Sequence, residues 1–269
     1  MNKRVVSPAC AGLLWLAMCP SAQAADLPCS LDYTPFERVL TAFVNAAGLV
    51  DYPALKSRRA DLDQFIAQLE RSSPANCPKL FPTRDDQLAY WINAYNAWIL
   101  RLVVDNYPTT SITKIGTIPF GAFFVKRVTL GGKKMTLRSL ENDTLRSGFH
   151  DPRVHFAINC ASRSCPPLAR ELYQPATLDQ QLDHAARAFI NDDRNVTLDE
   201  TSKLLVLSKI FDWYASDFKP VESNKNGTVI EYLKRYLTPE RLKILEGLSG
   251  AKITYHEYNW SLNARAAVK

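Results

Sequence analysis

The sequence predicts an α+β fold: a small, mostly antiparallel sheet packed by several helices in a single domain. Three observations lead there. Segments with apolar residues at helical spacing outnumber strand-like runs. The strand-like runs come largely as hairpins rather than as βαβ units. No repeat, low-complexity tract or Pro/Gly linker divides the chain.

In order, Leu31 to Ala47 carries Phe36, Val39, Leu40, Phe43 and Val44 at helical spacing, and Gly48 supplies a stop. Val50-Asp-Tyr52 is a short extended piece before Pro53. Ala60 to Glu70 repeats the helical pattern through Leu62, Phe65, Ile66 and Leu69, and the proline-rich Ser72 to Pro82 is a loop. Thr83-Arg-Asp-Asp86 resembles a capping box, with an acid three residues after a hydroxyl. The helix it opens should run to about Asn106, before Pro108. Leu88, Trp91, Ile92, Tyr95, Ile99, Leu102 and Val103 form its face, and Trp98 widens the stripe, so burial on more than one side is expected. Phe123 to Leu130 and Lys133 to Leu137 flank Gly131-Gly132 as a hairpin. Leu137 to Arg146 reads as a short helix and Arg153 to Asn159 as a strand. Leu178 to Asn191 is an amphipathic helix. Asn195 to Leu198 and Lys203 to Leu207 form a second strand pair. Ile210 to Phe218, Val229 to Leu237 and Pro239 to Leu248 read as helices, and Ile253 to Tyr258 as a final strand.

The first 24 residues read as a secretory signal: Lys3 and Arg4, an apolar core from Leu13 to Met18, then Ala22-Gln-Ala24 at the cleavage spacing. The apolar core falls short of the roughly 20 residues a membrane span needs. Leu16-Ala-Met-Cys19 also resembles a lipoprotein signal, but Met18 is a poor residue before a lipidated cysteine, and Ala22-Gln-Ala24 is the better site. The expected organisation is therefore a leader over 1–24 and one globular domain over 25–269, periplasmic or secreted, with no membrane segment after cleavage. Loss of the leader removes two cations and no acid, so the net charge falls from +6 to +4. The remaining charges are interspersed, which argues against nucleic-acid binding.

Four cysteines remain after cleavage: Cys29, Cys77, Cys160 and Cys165. In an oxidising compartment an even count invites pairing. Cys29–Cys77 is the economical pair, which leaves Cys160 and Cys165 either bonded to each other or free.

The chemistry concentrates in His155-Phe-Ala-Ile-Asn-Cys-Ala-Ser-Arg-Ser-Cys-Pro-Pro-Leu168. As a strand, this segment would turn Val154, Phe156 and Ile158 to the core and His155 and Asn159 to the other face. A Cys160–His155 dyad then needs a sharp turn after Asn159, because five straight residues separate the two Cα atoms by about 16 Å. Cys160 is the candidate nucleophile, His155 the base, and Glu141 or Asn159 the group orienting it. Asn93 and Asn96, three apart on one helix face, either brace neighbouring backbone or donate to a substrate oxygen. Ser162 lies in the same turn. Arg153 and Arg163 bracket the segment and are candidates to hold an anion or to pair with Asp212 or Asp217. Phe211-Asp-Trp-Tyr and Tyr258-Asn-Trp260 should fill core or pocket wall. Four histidines and no Cys-x-x-Cys do not build a zinc site, so no metal or cofactor is expected.

These pieces resemble the family DUF547, a domain of unknown function. The resemblance rests on Leu88-Ala-Tyr-Trp-Ile-Asn-Ala-Tyr-Asn-Ala97, Leu140-Glu-Asn-Asp-Thr-Leu-Arg146, Asp151-Pro-Arg-Val-His-Phe-Ala-Ile-Asn-Cys-Ala-Ser162 and Ser164-Cys-Pro-Pro-Leu168. It continues in Leu207-Ser-Lys-Ile-Phe-Asp-Trp-Tyr214 with Asp217-Phe218, and in Tyr258-Asn-Trp-Ser-Leu-Asn263, where Asn259 replaces the usual acid. The resemblance implies an exported bacterial domain with one shared fold and no defined reaction. A helix leading into strands that carry a histidine is also loosely similar to papain-like and transglutaminase-like enzymes, a fold-level analogy. Those enzymes carry the nucleophilic cysteine on the helix, where this chain has Asn93 and Asn96.

Three functions follow as expectations: a thiol-dependent hydrolase or acyl transferase using Cys160 and His155, a non-catalytic binding or scaffold domain, and a thiol redox protein. The corresponding partner is a small molecule, a peptide or an envelope protein.

Overall fold

The computed structural model describes residues 29–219, 228–248 and 250–265, so the expected leader lies outside the described residues. The first layer is helical. α1 (Thr34–Phe43) buries Phe36, Val39, Leu40 and Phe43. α2 (Tyr52–Ser57) starts where Asp51 accepts from Ala54 N, with Pro53 in its first turn. That Asp-x-Pro start makes a helix of residues that carry too few apolar positions to show a period. α3 (Ala60–Arg71) packs on α1, with Phe36 and Phe65 stacked at 4.9 Å. The Cys29–Cys77 disulfide ties the N-terminal arm to the loop before the next helix.

α4 (Arg84–Asp105) is the centre of the molecule. Its capping box is complete: Thr83 accepts from Asp86 N at 3.1 Å, and Asp86 accepts from Thr83 N at 2.9 Å. Sixteen of its 22 residues are buried, so it is enclosed on nearly every side rather than lying on a surface. α5 (Gly121–Phe124) takes the start of the stretch expected to be a strand. The strand β1 (Arg127–Leu130) is shorter, and pairs antiparallel with β2 (Lys133–Thr136). Gly131 and Gly132 have φ of +56° and +78°, the left-handed region this two-residue turn requires.

α6 (Leu137–Ser139) runs into a π-helical segment, Leu140–Arg146, and then α7 (Ser147–Phe149). A π turn hydrogen-bonds residues five apart, which sets Glu141 and Arg146 on a common face. Arg153 to Asn159 is not a strand. Asp151-Pro152 opens a turn, and α8 (Val154–Ala157) follows, with Ile158 N donating to Val154 O at 3.1 Å. The alternating apolar pattern arises because the single helical turn sits between two apolar cores. Val154 and Ala157 enter one, built around α4, while Phe156 enters the other, with Phe189, Phe211 and Phe218.

The second core is covered by α9 (Leu178–Ile190), α10 (Lys209–Trp213), α11 (Val229–Lys234) and α12 (Pro239–Gly247). Its sheet has the order β3 (Val196–Asp199), β4 (Leu204–Leu207), β5 (Lys252–Tyr255). β3 and β4 form the expected antiparallel pair, but β5 joins β4 in parallel, as the long helical connection between them permits. The fold is thus α+β, with two small sheets where one was expected. No described helix is long and apolar enough to cross a membrane.

The stretch from Ile158 to Tyr173 is buried at many positions yet has no helix or strand, only one antiparallel bridge between Ser162 and Leu262. Amide side chains supply many of the partners around it. Asn96 accepts from Asn159 N (2.9 Å) and donates to Ala157 O (3.0 Å). Asn93 does the same for Tyr173, donating to its carbonyl (2.8 Å) and accepting from its N–H (3.1 Å). Asn159 donates to Pro166 O and accepts from Ala161 N, while Asn263 donates to Asn159.

Replacing Asn96 with Leu keeps the heavy-atom count and branching but leaves a buried N–H and a buried C=O unpaired. The expected loss is about 2–6 kcal/mol at roughly 1–3 kcal/mol per group, read as a lower urea midpoint with an unchanged slope. A change below about 0.5 kcal/mol would show that the braces carry little of the stability.

Candidate functional site

A cavity of about 560 Å³ opens between the two apolar cores. Its polar residues come from several elements, among them Tyr95 of α4 and Arg138 of α6. The π-helical segment supplies Glu141, Asn142 and Arg146, and α8 supplies His155. The irregular turn supplies Cys160 and Cys165, and the two aromatic motifs supply Trp213, Tyr214, Tyr258 and Trp260. Phe120, Phe123 and Phe124 close the opposite wall.

His155 is 3% exposed, and its Nε2 lies 2.8 Å from Asp217 Oδ2. With a carboxylate on Nε2, the neutral ring carries its proton there and leaves Nδ1 as an acceptor. Arg146 grips the same carboxylate with two hydrogen bonds (2.6 and 2.9 Å) and also donates to Asn142 (2.6 Å). Burial opposes ionisation of Asp217, but the hydrogen bonds from His155 and Arg146 outweigh it and hold the carboxyl well below its usual range. Tyr214 stacks on the imidazole at 4.1 Å, and the Arg146 guanidinium lies over the same tyrosine ring at 4.7 Å. The imidazole is therefore fixed in plane and in tautomer.

Glu141 does not accept from the imidazole, as the sequence reading allowed. It accepts from the phenols of Tyr214 (2.5 Å) and Tyr95 (3.2 Å), and Asp217 takes the place beside His155. Burial first, and the neighbouring Glu141 carboxylate second, raise both phenols well above their ordinary values, so both remain proton donors. Burial likewise raises Tyr258.

The chain turns sharply after Asn159. Asn159 Oδ1 accepts from Ala161 N (2.8 Å), and Ala161 takes a φ of +58°. The turn brings Cys160 and Cys165 to bonding range, with Cys160 N donating to Cys165 Sγ (2.8 Å). Cys160 Sγ also lies 3.3 Å from Tyr258 OH and 3.2 Å from Ser162 Oγ, and Ser162 donates to Tyr258.

The structure therefore brings Cys160, His155 and Glu141 to one cavity and does not bring Asn93, Asn96 or Asn159 there. Those amides face backbone rather than the cavity, so none is placed to donate to a substrate oxygen. Arg163 points away and donates to Ala264 O (2.6 Å). Arg153 does not pair with Asp212 or Asp217 either: it binds Asp151, Asp179 and Asp183. Tyr214 and Tyr258 stand in the pocket wall, as the sequence led one to expect of their motifs, whereas the roles of Asp217, Arg146 and Tyr95 at the site are not read from the sequence. The paired motifs Asp212-Trp-Tyr214 and Asp217-Phe218 were the available signal, since an acid that close to aromatic core residues needs a cation. Among the described residues no group of three or more His, Cys, Asp or Glu side chains is arranged to hold a metal ion.

A family model described as a protein of unknown function, DUF547, matches residues 80–190. That segment carries α4, the π-helical segment, His155 and both cavity cysteines. Asp217, Tyr214 and Tyr258 lie beyond it, so the match is narrower than the motif resemblance. No curated protein and no solved structure matches the chain.

The depressed Asp217 sets a pH dependence. Its folded-state value lies below the unfolded value near 3.9, so its stabilisation is complete above about pH 4 and is lost as the pH falls through the folded value. Asp217→Asn should cost about 2 kcal/mol near neutrality, the scale of hydrogen bonds to a charged group. The gap from wild type should narrow as urea unfolding is repeated at progressively lower pH. A gap that stays constant down to acid would contradict the assignment.

Proposed function

We propose that this chain, with its DUF547 segment over residues 80–190, is a thiol-dependent hydrolase or acyl transferase acting in the cavity between its two cores. The observation that supports this reading is that Cys160 and an imidazole oriented by Asp217 line one open cavity. We also propose that residues 1–24 are a leader, that residues 25–269 form one domain, and that the domain works outside the cytoplasm. In an oxidising compartment the Cys160–Cys165 bond is the resting form, and the chemistry begins when an external dithiol reduces it to two thiols and is itself oxidised to a disulfide.

In the joined form Cys160 Sγ is hydrogen-bonded to Ser162 and Tyr258 and not to the imidazole, so in the reduced form its side chain must swing across the cavity to His155. There Nδ1 takes the Cys160 proton, with Asp217 and Arg146 holding the ring through Nε2. The thiolate attacks the acyl carbon. A carbon–sulfur bond forms, the bond to the leaving group breaks, and the leaving group takes the proton from His155. Water or an acceptor nucleophile then attacks the thioester, gives its proton to His155 and releases the Cys160 thiolate. The oxyanion of each addition step forms on the carbon bonded to Cys160 Sγ, two bonds from the sulfur. Tyr258, protonated and 3.3 Å from that sulfur, is the donor for it, since Ser162 beside it already donates to Tyr258.

The joined sulfurs favour a second reading, a binding domain without turnover. In that case the disulfide pins the turn, and the polar groups only fix a ligand.

The two readings separate cleanly. After treatment with a dithiol, iodoacetamide should label Cys160 and Cys165 before Cys77, because they line the open cavity while Cys77 is buried. The reduced protein should then hydrolyse a thioester or activated ester. Cys160→Ser should abolish turnover and Cys165→Ser should keep it. His155→Gln should lower kcat about 10²–10⁴-fold, and Tyr258→Phe about 10²–10³-fold. Unchanged turnover in folded Cys160→Ser, or none in reduced wild type across several acyl esters, would leave the binding reading. Mass spectrometry of the exported protein should give an N-terminus at Ala25, and a retained leader would overturn the proposed export.

A further inference from the structure

The cavity mouth carries two features that the thiol chemistry does not use. The first is exposed aromatic surface on both sides: Phe124 is 47% exposed and Trp213 46%, where large apolar side chains are normally covered. The second is a cation without an acid. Three charged side chains line the cavity: Arg138, Glu141 and Arg146. Glu141 is held by two phenols, and Arg146 is neutralised by Asp217 and also donates to Asn142. Arg138 has neither a hydrogen bond nor an ion pair among the described residues, although Glu141 stands only three positions along the helix. Its guanidinium instead lies over the Phe124 ring, 5.2 Å from the centroid. A contact with an aromatic face uses none of the N–H donors of a guanidinium, which a planar carboxylate can bind in pairs.

We propose that the cavity takes a ligand with a flat apolar body and a free carboxylate, as at the end of a peptide with an aromatic last residue. The body lies between Phe124 and Trp213, and the carboxylate binds the edge of Arg138. A volume near 560 Å³ suits a ligand of two or three residues and falls in the usual range for small-molecule sites. The inference names the substrate class of the reading above and rests on the same cavity. It places the anionic end at the rim, so that the bond to be cleaved lies further in, toward Cys160.

Calorimetric titration with N-acetylphenylalanine and with its uncharged amide tests this. The untreated protein is used, because its joined sulfurs leave no thiol to react, and binding is then read independently of turnover. The acid should bind about tenfold or more tightly than the amide, as expected for a paired guanidinium–carboxylate contact. Arg138→Gln, an exposed change that should leave the melting temperature in place, should bring the two affinities within about twofold of each other. Phe124→Ala should weaken acid and amide together. Equal affinity of acid and amide in wild type, a preference that survives Arg138→Gln, or no saturable binding of the acid would each overturn the proposal. Binding that behaves as expected beside absent turnover would keep the ligand class and remove the thiol chemistry.

Discussion

Irregular backbone can be buried only where its polar groups find partners, and in this protein amide side chains supply many of them. The segment from Ile158 to Tyr173 carries both cavity sulfurs and runs under the enclosed helix α4. Near its middle it pairs with backbone around Leu262 through a single antiparallel bridge. At its two ends Asn93 and Asn96 on α4, with Asn159, take that role, and Asn263 holds the Asn159 amide. An amide both donates and accepts, so one asparagine can close on a backbone much as a second strand would. That explains why two poor helix formers stand in the middle of the most buried helix.

The cavity depends on this bracing. The braces fix where α8 ends and where the turn after Asn159 begins, and so fix the distance of Cys160 from the wall that carries Tyr258. On the other side, α8 is only one turn long, yet it joins the two apolar cores through Val154, Ala157 and Phe156. His155 lies between those anchors and has little freedom to move. Its acid comes from beyond α10, and the cation that neutralises that acid comes from the π-helical segment. The His155–Asp217–Arg146 chain therefore links three elements across the seam between the cores, and its charges stabilise the seam while orienting the ring.

The cavity is divided by character. Its inner end holds phenols, a carboxylate, the imidazole and sulfur, each with a hydrogen-bond partner inside the protein. Its mouth is aromatic and exposed, with one arginine, Arg138, that has no ion pair among the described residues. Polar groups satisfied at the inner end cost little to hold in place before a ligand arrives. The unpaired surface at the mouth is where a ligand gains its contacts.

What the sequence determined by itself is what depends on neighbours a few residues away: the amphipathic helices, the Thr83–Asp86 capping box, the hairpin across Gly131-Gly132, the β3–β4 pair and the α+β class. The concentration of chemistry around His155 and Cys160 was legible as well, because reactive side chains are visible without geometry. The alternating Val154-His-Phe-Ala-Ile158 run misled because two cores on opposite sides of one helical turn imitate the two faces of a strand, although Asp151-Pro152 marked the turn. Only the tertiary structure decided that Asp217 rather than Glu141 faces the imidazole, that β5 runs parallel to β4, and that the asparagines serve backbone. The physical reason is separation: His155 and Asp217 lie 62 positions apart, and Asn96 and Asn159 lie 63 apart. A hydrogen bond between residues so distant leaves no period in the chain, and its partners are selected only when packing brings their atoms within about 3 Å.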